Sequence, residues 1–232
     1  MRNAPDSLVV QVMTFSGKPL LFHTHQGRTQ VRGPKECEAL CAVLNTAFLH
    51  GLSRLLDDLV RSSGRSYEGV VAYGFHSEFP HEIPEGRVLI SYFELEQNLP
   101  EEVFIDVCFG MIRAHLNVCP DAGVEAELRS AALALRERGV TVSSFFEEPL
   151  EPLYLLAVYE ADNEEAPAVA ELYSDGRHGA LQLYDSAHTE LLVDVLLQSS
   201  GDGSAFAAES LQRLVEHGLG AYAFEGEITA LR

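Results

Sequence analysis

The chain has 232 residues, 47% of them hydrophobic and 22% charged, and a formal net charge of −19. That composition excludes a disordered chain, and the length suits one sizeable domain or two small ones, burying roughly 70–75% of the unfolded surface. Residues 1–65 hold eight basic and five acidic side chains, and residues 66–232 eight basic and thirty acidic ones. Such a field repels nucleic acid and anionic lipid and speeds encounter with a basic partner, although a soluble surface alone also accounts for an excess of carboxylates.

The first fifteen residues, MRNAPDSLVVQVMTF, have one arginine and an apolar run broken by Gln11, too short and mixed for a signal peptide or a membrane span. Leu8–Met13 and Leu20–Thr24 read as two strands joined by FSGKP, with Ser16-Gly17 as the turn. Gly33-Pro34 opens a helix whose apolar spacing from Leu40 to Leu59, Gly51 included, runs for about six turns. Ser62-Ser63-Gly64 ends it.

Val70–Phe75 and Val88–Phe93 read as the next strands, rich in β-branched and aromatic residues. Between them SEFPHEIPEG has two prolines and a glycine that forbid a regular element. Pro100 suits a first helical turn, and Glu101 and Glu102 stand where the helix dipole favours carboxylates. Val103, Phe104, Val107, Cys108, Met111 and Ile112 then give the helix one apolar face. A second helix is expected over Gly123–Arg138 with Gly139 past its end, and a strand over Val140–Phe146.

In the last third, Leu153–Tyr159 reads as a buried strand followed by an acidic loop, Glu160–Pro167. Ala168–Tyr173 and Gly179–Tyr184 form a hairpin around Asp175-Gly176. Helices over His188–Leu197 and Ser204–His217 and a closing strand over Phe224–Ala230 complete the chain. Gly201-Asp202-Gly203 and Gly218-Leu219-Gly220 read as isolated turns. The class is α+β: antiparallel hairpins or meanders with helices packed on one face, built from two or three ββα-like units. Glu147–Pro152 (EEPLEP) is the linker candidate, separating 1–146 from 153–232, and a single domain remains compatible with the pattern.

No nucleophile elbow, phosphate-binding glycine loop or dinucleotide fingerprint is present in the sequence. Two lysines and scattered arginines give nucleic-acid binding no support. Cys37, Cys41, Cys108 and Cys119 lie in or beside expected helices, which suits free thiols in a reducing compartment and a cytoplasmic protein. His23 and His25 share a strand face, and Cys37 and Cys41 a helix face, which supplies the residue types of a tetrahedral metal site. The spacing fits no zinc motif, and cysteine serves equally as a small buried hydrophobe; no cofactor is expected. His76, Glu78, His81 and Glu82 cluster in the central loop, the best enzymatic candidates, although H-S-E-F-P-H-E is not a helical metal motif and also suits a solvated loop.

The carboxylates of this region favour a partner over a reaction. Glu78, Glu82, Glu85, Glu94, Glu96, Glu101, Glu102 and Asp106 fall within thirty residues, interleaved with Phe79, Tyr92 and Phe93, aromatic anchors of the kind that dominate interface energy. If S-Y-F-E-L-E-Q continues the strand, Glu94 and Glu96 share one face and Phe93 and Leu95 the other. A solvated strand face would show the same pattern.

Over residues 70–135, the strand VAYGFHSEF followed by EGRVLISYFELEQNLPEEVFIDVCFGMIRAHLNVCPD resembles immunity proteins of bacterial toxin systems, the antidotes to contact-dependent and type VI-delivered toxins. The resemblance lies in a strand ending in Phe-Glu, a Pro-Glu-Glu helix start and a helix closing on Cys-Pro-Asp. It implies a non-catalytic protein that binds a cognate basic toxin domain and occludes its active site. An effector chaperone or adaptor, or a metal-dependent enzyme using the His/Cys or His/Glu clusters, is the alternative. Whether the chain forms a homodimer is left open.

Overall fold

A computed structural model describes residues 8–15, 18–25, 27–142, 154–160, 168–174, 179–185, 187–199 and 212–224. The fold is α+β with antiparallel sheets, and the chain divides into two compact units, residues 1–28 with 149–232 and residues 29–148. The division therefore falls at two places. One falls inside the expected linker Glu147–Pro152, between residues 148 and 149; the linker's own residues are outside the described ones. The other lies near residue 28, because the first strand pairs with a strand of the last third rather than with its sequence neighbours in 29–146.

The first unit begins with β1 (Leu8–Phe15) and β2 (Lys18–His25), which pair antiparallel from Val9↔Thr24 to Phe15↔Lys18. A short strand that sequence spacing does not show, β3 (Arg28–Arg32), follows and carries the division between units at its first residue. The other strands are β8 (Tyr154–Glu160), β9 (Ala170–Ser174), β10 (Gly179–Leu183) and β11 (Leu219–Phe224). The sheet order is β11-β8-β9-β10-β1-β2-β3, and β1 joins β10 from Leu8↔Leu183 to Val12↔Gly179. The helix of this unit, α5 (Thr189–Ser199), packs on β10, β9 and β1. Its Leu192, Val195 and Leu196 meet Val10, Val12, Val158, Leu172, Leu181 and Leu183 in one buried cluster.

The closing strand thus starts at Leu219, so Leu219 and Gly220 belong to a strand rather than to an isolated turn. Residues 212–216 are helical. The expected turns at Ser16-Gly17, Asp175-Gly176 and Gly201–Gly203, the loop at 161–167, and residues 204–211 and 225–230 lie outside the described residues.

The second unit opens with a turn of 3-10 helix (Lys35–Cys37) and two helices, α1 (Glu38–His50) and α2 (Leu52–Arg61), in place of the one long helix expected. They meet at a bend of 118°. Gly51 makes the break with φ 111° and ψ 129°, a conformation outside the helical region that L residues resist. Leu52, Leu55, Leu56 and Leu59 still keep helical spacing, so the apolar pattern runs through the bend without recording it. The four-stranded meander β4 (Arg65–Tyr67), β5 (Val71–Phe75), β6 (Arg87–Tyr92) and β7 (Leu95–Pro100) is ordered as in the sequence.

Val71, Tyr73, Phe75, Val88 and Ile90 are buried on one face of this sheet, against which α1 and α3 (Glu101–Val118) pack. Pro100 stands one residue before α3, whose first turn carries Glu101 and Glu102 as expected. α4 (Ala122–Glu137) starts on a side-chain cap, the Asp121 carboxylate accepting from the Gly123 and Val124 N–H groups at 2.8 and 3.1 Å. It packs on α2 and ends before Gly139 at φ 82°. Residues 140–142 are irregular, not the strand expected there, and 143–146 lie outside the described residues. Among the described residues no single helix is long and apolar enough to cross a membrane.

Candidate functional site

The acidic stretch 78–106 does not form one surface. Strand β6 separates it into two ends, since Arg87 pairs with Pro100 at one end of the β6–β7 ladder and Tyr92 with Leu95 at the other. Five steps of about 3.3 Å along β6 place those ends roughly 17 Å apart.

At the first end the loop 76–86 folds into tight turns. Phe79 N–H bonds the Phe75 carbonyl at 3.2 Å, and Ile83 N–H the Phe79 carbonyl at 2.9 Å, which tucks Ile83 into the interior. The Phe79 ring lies over Gly74, where an added Cβ would stand 3.2 Å from two ring carbons. Glu78, although exposed, reaches back to the turn after α2, accepting from Ser63 Oγ at 3.1 Å and from the Gly64 N–H. Glu101 accepts from Ser62 Oγ at 2.7 Å and faces Arg138 at 3.4 Å. Arg138 in turn donates to Ser62 Oγ and to the Leu59 and Val60 carbonyls, capping α2. Glu78 and Glu101 therefore tie secondary-structure ends together. Glu82, Glu85 and Glu102 are exposed, and Asp106 is half-buried one turn further along α3.

The histidines of this loop part company. His76 Nδ1 lies 2.6 Å from the Ile83 carbonyl and so carries its proton there, while His81 is exposed. Among the described residues no group of three or more His, Cys, Asp or Glu side chains could hold a metal ion, His76, Glu78, His81 and Glu82 included; of the other candidates, His23 and His25 belong to the first unit and Cys37 and Cys41 to the second. Cys37, Cys41 and Cys108 are buried and Cys119 half-buried, all as free thiols. Burial, with Cys37 adding to it, pushes the Cys41 thiol up to about 11, and burial alone raises Cys108, so neither is a thiolate near neutral pH.

At the second end the expected strand alternation fails. Phe93 and Glu94 form a two-residue turn, so Glu94 sits in the turn and Glu96 in the returning strand, opposite Ser91. Phe93 has φ 52° and is 69% exposed, with the Tyr92 ring edge-on to it at 4.8 Å. Its N–H bonds the Val70 carbonyl at 3.0 Å, joining this turn to the β4–β5 turn, where Glu68 also has positive φ, 53°. Leu95, Glu94, Glu96 and Glu68 are exposed around it. His50 at the end of α1 stacks on Tyr67 at 4.8 Å, at the start of the same cross-strand row Tyr67–Val71–Tyr92–Leu95.

The outer edge of β7 is closed only toward its Pro100 end. Glu101 N–H bonds the Gly86 carbonyl at 2.9 Å and His76 N–H the Arg87 carbonyl at 3.3 Å. This sets the alternation of an antiparallel ladder, in which Leu95, Gln97 and Leu99 face β6 while Glu96, Asn98 and Pro100 face outward. Pro100 has no N–H to offer, and Arg87 reaches across to donate to the Asn98 carbonyl at 2.8 Å. Only Glu96 of the three keeps both outward backbone groups open.

The sequence pattern did not single out the most polar buried assembly. Asp58, 3% exposed, accepts from Arg65 Nε and Nη2 at 2.6 and 2.5 Å and from the Tyr73 hydroxyl at 2.6 Å. Burial, then the bond to Asp58, raises the Tyr73 phenol, and burial raises Tyr67. The signal was a carboxylate between Leu55 and Leu59 on the apolar side of a helix. Through these bonds the group joins α2 to β4 and β5. His115 on α3 has Thr29 Oγ at 3.1 Å and Phe48 edge-on at 4.9 Å, and burial lowers its pKa.

Comparison with protein-family models, curated proteins and solved structures finds no match to this chain.

Proposed function

We propose that this is a non-catalytic acidic binding protein, an immunity protein that acts in the cytoplasm by covering the active site of a basic toxin domain. One observation carries the reading. Glu68, Glu82, Glu85, Glu94, Glu96 and Glu102 are all exposed and make no ion pair among the described residues, while Phe93 stands out between two of them. Carboxylates that hold nothing inside the protein are available to lysines and arginines outside it, and an aromatic among them supplies the apolar contact that charge alone lacks. The charge of residues 29–148, ten basic against nineteen acidic side chains, has the same sign.

The edge of β7 is blocked at one end, where Pro100 has no N–H and Arg87 fills the Asn98 carbonyl, which favours a folded partner held by side chains over the extended peptide that a chaperone would hold. The test is the double reversal Glu94→Lys/Glu96→Lys in the whole protein. Co-purification of the partner from the native host should fall at least tenfold and lose its sensitivity to salt. An undiminished yield of a one-to-one complex would remove this end of the sheet from the interface.

A further inference from the structure

Phe93 occupies the first position of a two-residue hairpin turn, with positive φ there and not at Glu94. Glycine belongs at that position, since a bulky side chain is strained in the left-handed region. A buried aromatic could offset the strain by packing, but Phe93 is mostly exposed, and Tyr92 contacts it only edge-on. Strained exposed residues concentrate where the chain does something other than fold. The bond from Phe93 N–H to the Val70 carbonyl fixes the turn from beneath, so the ring is presented on a rigid support.

On the reading that the acidic surface binds a basic protein, we propose that Phe93 is the anchor of that interface. Its ring enters an apolar socket on the partner, and Glu94 and Glu96 meet lysine or arginine side chains on the socket's rim. The contact is made by side chains, since Arg87 and Pro100 block the far end of the adjacent strand edge and leave too short a row for strand addition. A second copy of this chain is not the occupant, since it would set Glu94 and Glu96 against their own counterparts. Phe79, the other exposed aromatic of the acidic stretch, is engaged with Gly74 and lies at the opposite end of β6, and Tyr92 is half-buried.

The test places the photoreactive residue p-benzoylphenylalanine at position 93, and separately at exposed Leu133 on α4 and at Glu82 in the loop, in the full chain within its native host. The expected result is one adduct from position 93, of one-to-one mass, with a protein of net positive charge. The crosslinked atom should lie in an apolar pocket rimmed by lysine or arginine, and high salt before irradiation should abolish the adduct. Positions 82 and 133 should give it weakly or not at all. An adduct from position 82 or 133 but not 93 overturns the anchor and leaves the binding reading standing. No adduct from any position, with the protein purifying alone, overturns both. An adduct of twice the chain's own mass overturns the proposal in favour of self-association.

A second variant separates docking from folding. Phe93→Gly should raise the melting temperature by a few degrees while reducing partner co-purification at least tenfold. A variant that is stabilised and still co-purifies in full would show that the ring is not the anchor.

Discussion

Asp58 binds Arg65 through two charge-assisted hydrogen bonds and takes a third from Tyr73, so its carboxylate is satisfied only while all three side chains stay in place. Removing one partner of a buried pair leaves the other charged and unmatched, which costs far more than the pair contributes as a whole. Asp58→Ala is therefore expected to lose about 3 kcal/mol in urea denaturation. The double variant Asp58→Ala/Arg65→Ala should lose less than the sum of the two single losses; strict additivity would mean that the two do not act as a unit. Phe93 poses the reverse case. Its φ costs the fold about 1–3 kcal/mol, as far as side chains in that region generally do, and nothing in the hairpin recovers it.

At the level of elements, Gly51 decides where α1 stops. With φ 111° and no atom within 4 Å of an added Cβ, Gly51→Ala meets no steric obstacle except its own backbone. It should destabilise by about 1–2 kcal/mol in urea; a stabilised variant would mean that α1 and α2 can fuse into one helix. The same residue explains one limit of sequence reading, because the leucines after Gly51 keep the phase of those before it and glycine inside a helical pattern is often tolerated. Helix ends were legible at Pro100 with Glu101 and Glu102 and at Gly139, whereas the Asp121 cap of α4 came only with the structure. Strand β4, three residues long, is too short to carry a period. Strand β3 alternates in burial but fills one of its two inward positions with Thr29, so its sequence shows a single apolar residue, Val31. The turn at Phe93-Glu94 was hidden because an aromatic stands where glycine signals a hairpin, so the residues of the candidate surface were found while their arrangement was not. Glu78 looks the same in sequence as Glu94 and Glu96, and only the fold shows that it holds the turn after α2, and that Glu101, legible as a helix start, also binds Ser62 and Arg138.

Over the whole molecule the net charge of −19 acts on folding and on association with opposite sign. Like charges repel within the folded protein, whereas unlike charges attract across the proposed interface, and salt screens both over a Debye length of about 10 Å at 0.1 M. Raising sodium chloride from about 0.01 to 0.3 M is thus expected to raise the melting temperature of the protein alone and to weaken its complex, mainly through slower association. Scanning calorimetry and partner retention on a column, followed over the same salt series, read the two directions. A complex that tightens with salt would leave the acidic surface without a role in binding.

The pairing of β1 with β10 also sets an order of events during synthesis. Leu8 leaves the ribosome long before Leu183, its cross-strand neighbour, by on the order of ten to forty seconds at 5–20 residues per second. Residues 29–148 emerge wholly within that interval and hold both sides of every pairing in their own sheet. The nascent chain can therefore complete its second unit while the edge of β1 stays bare. A bare strand edge invites pairing with other chains, so translation speed between these two strands governs how much newly made protein reaches the native state.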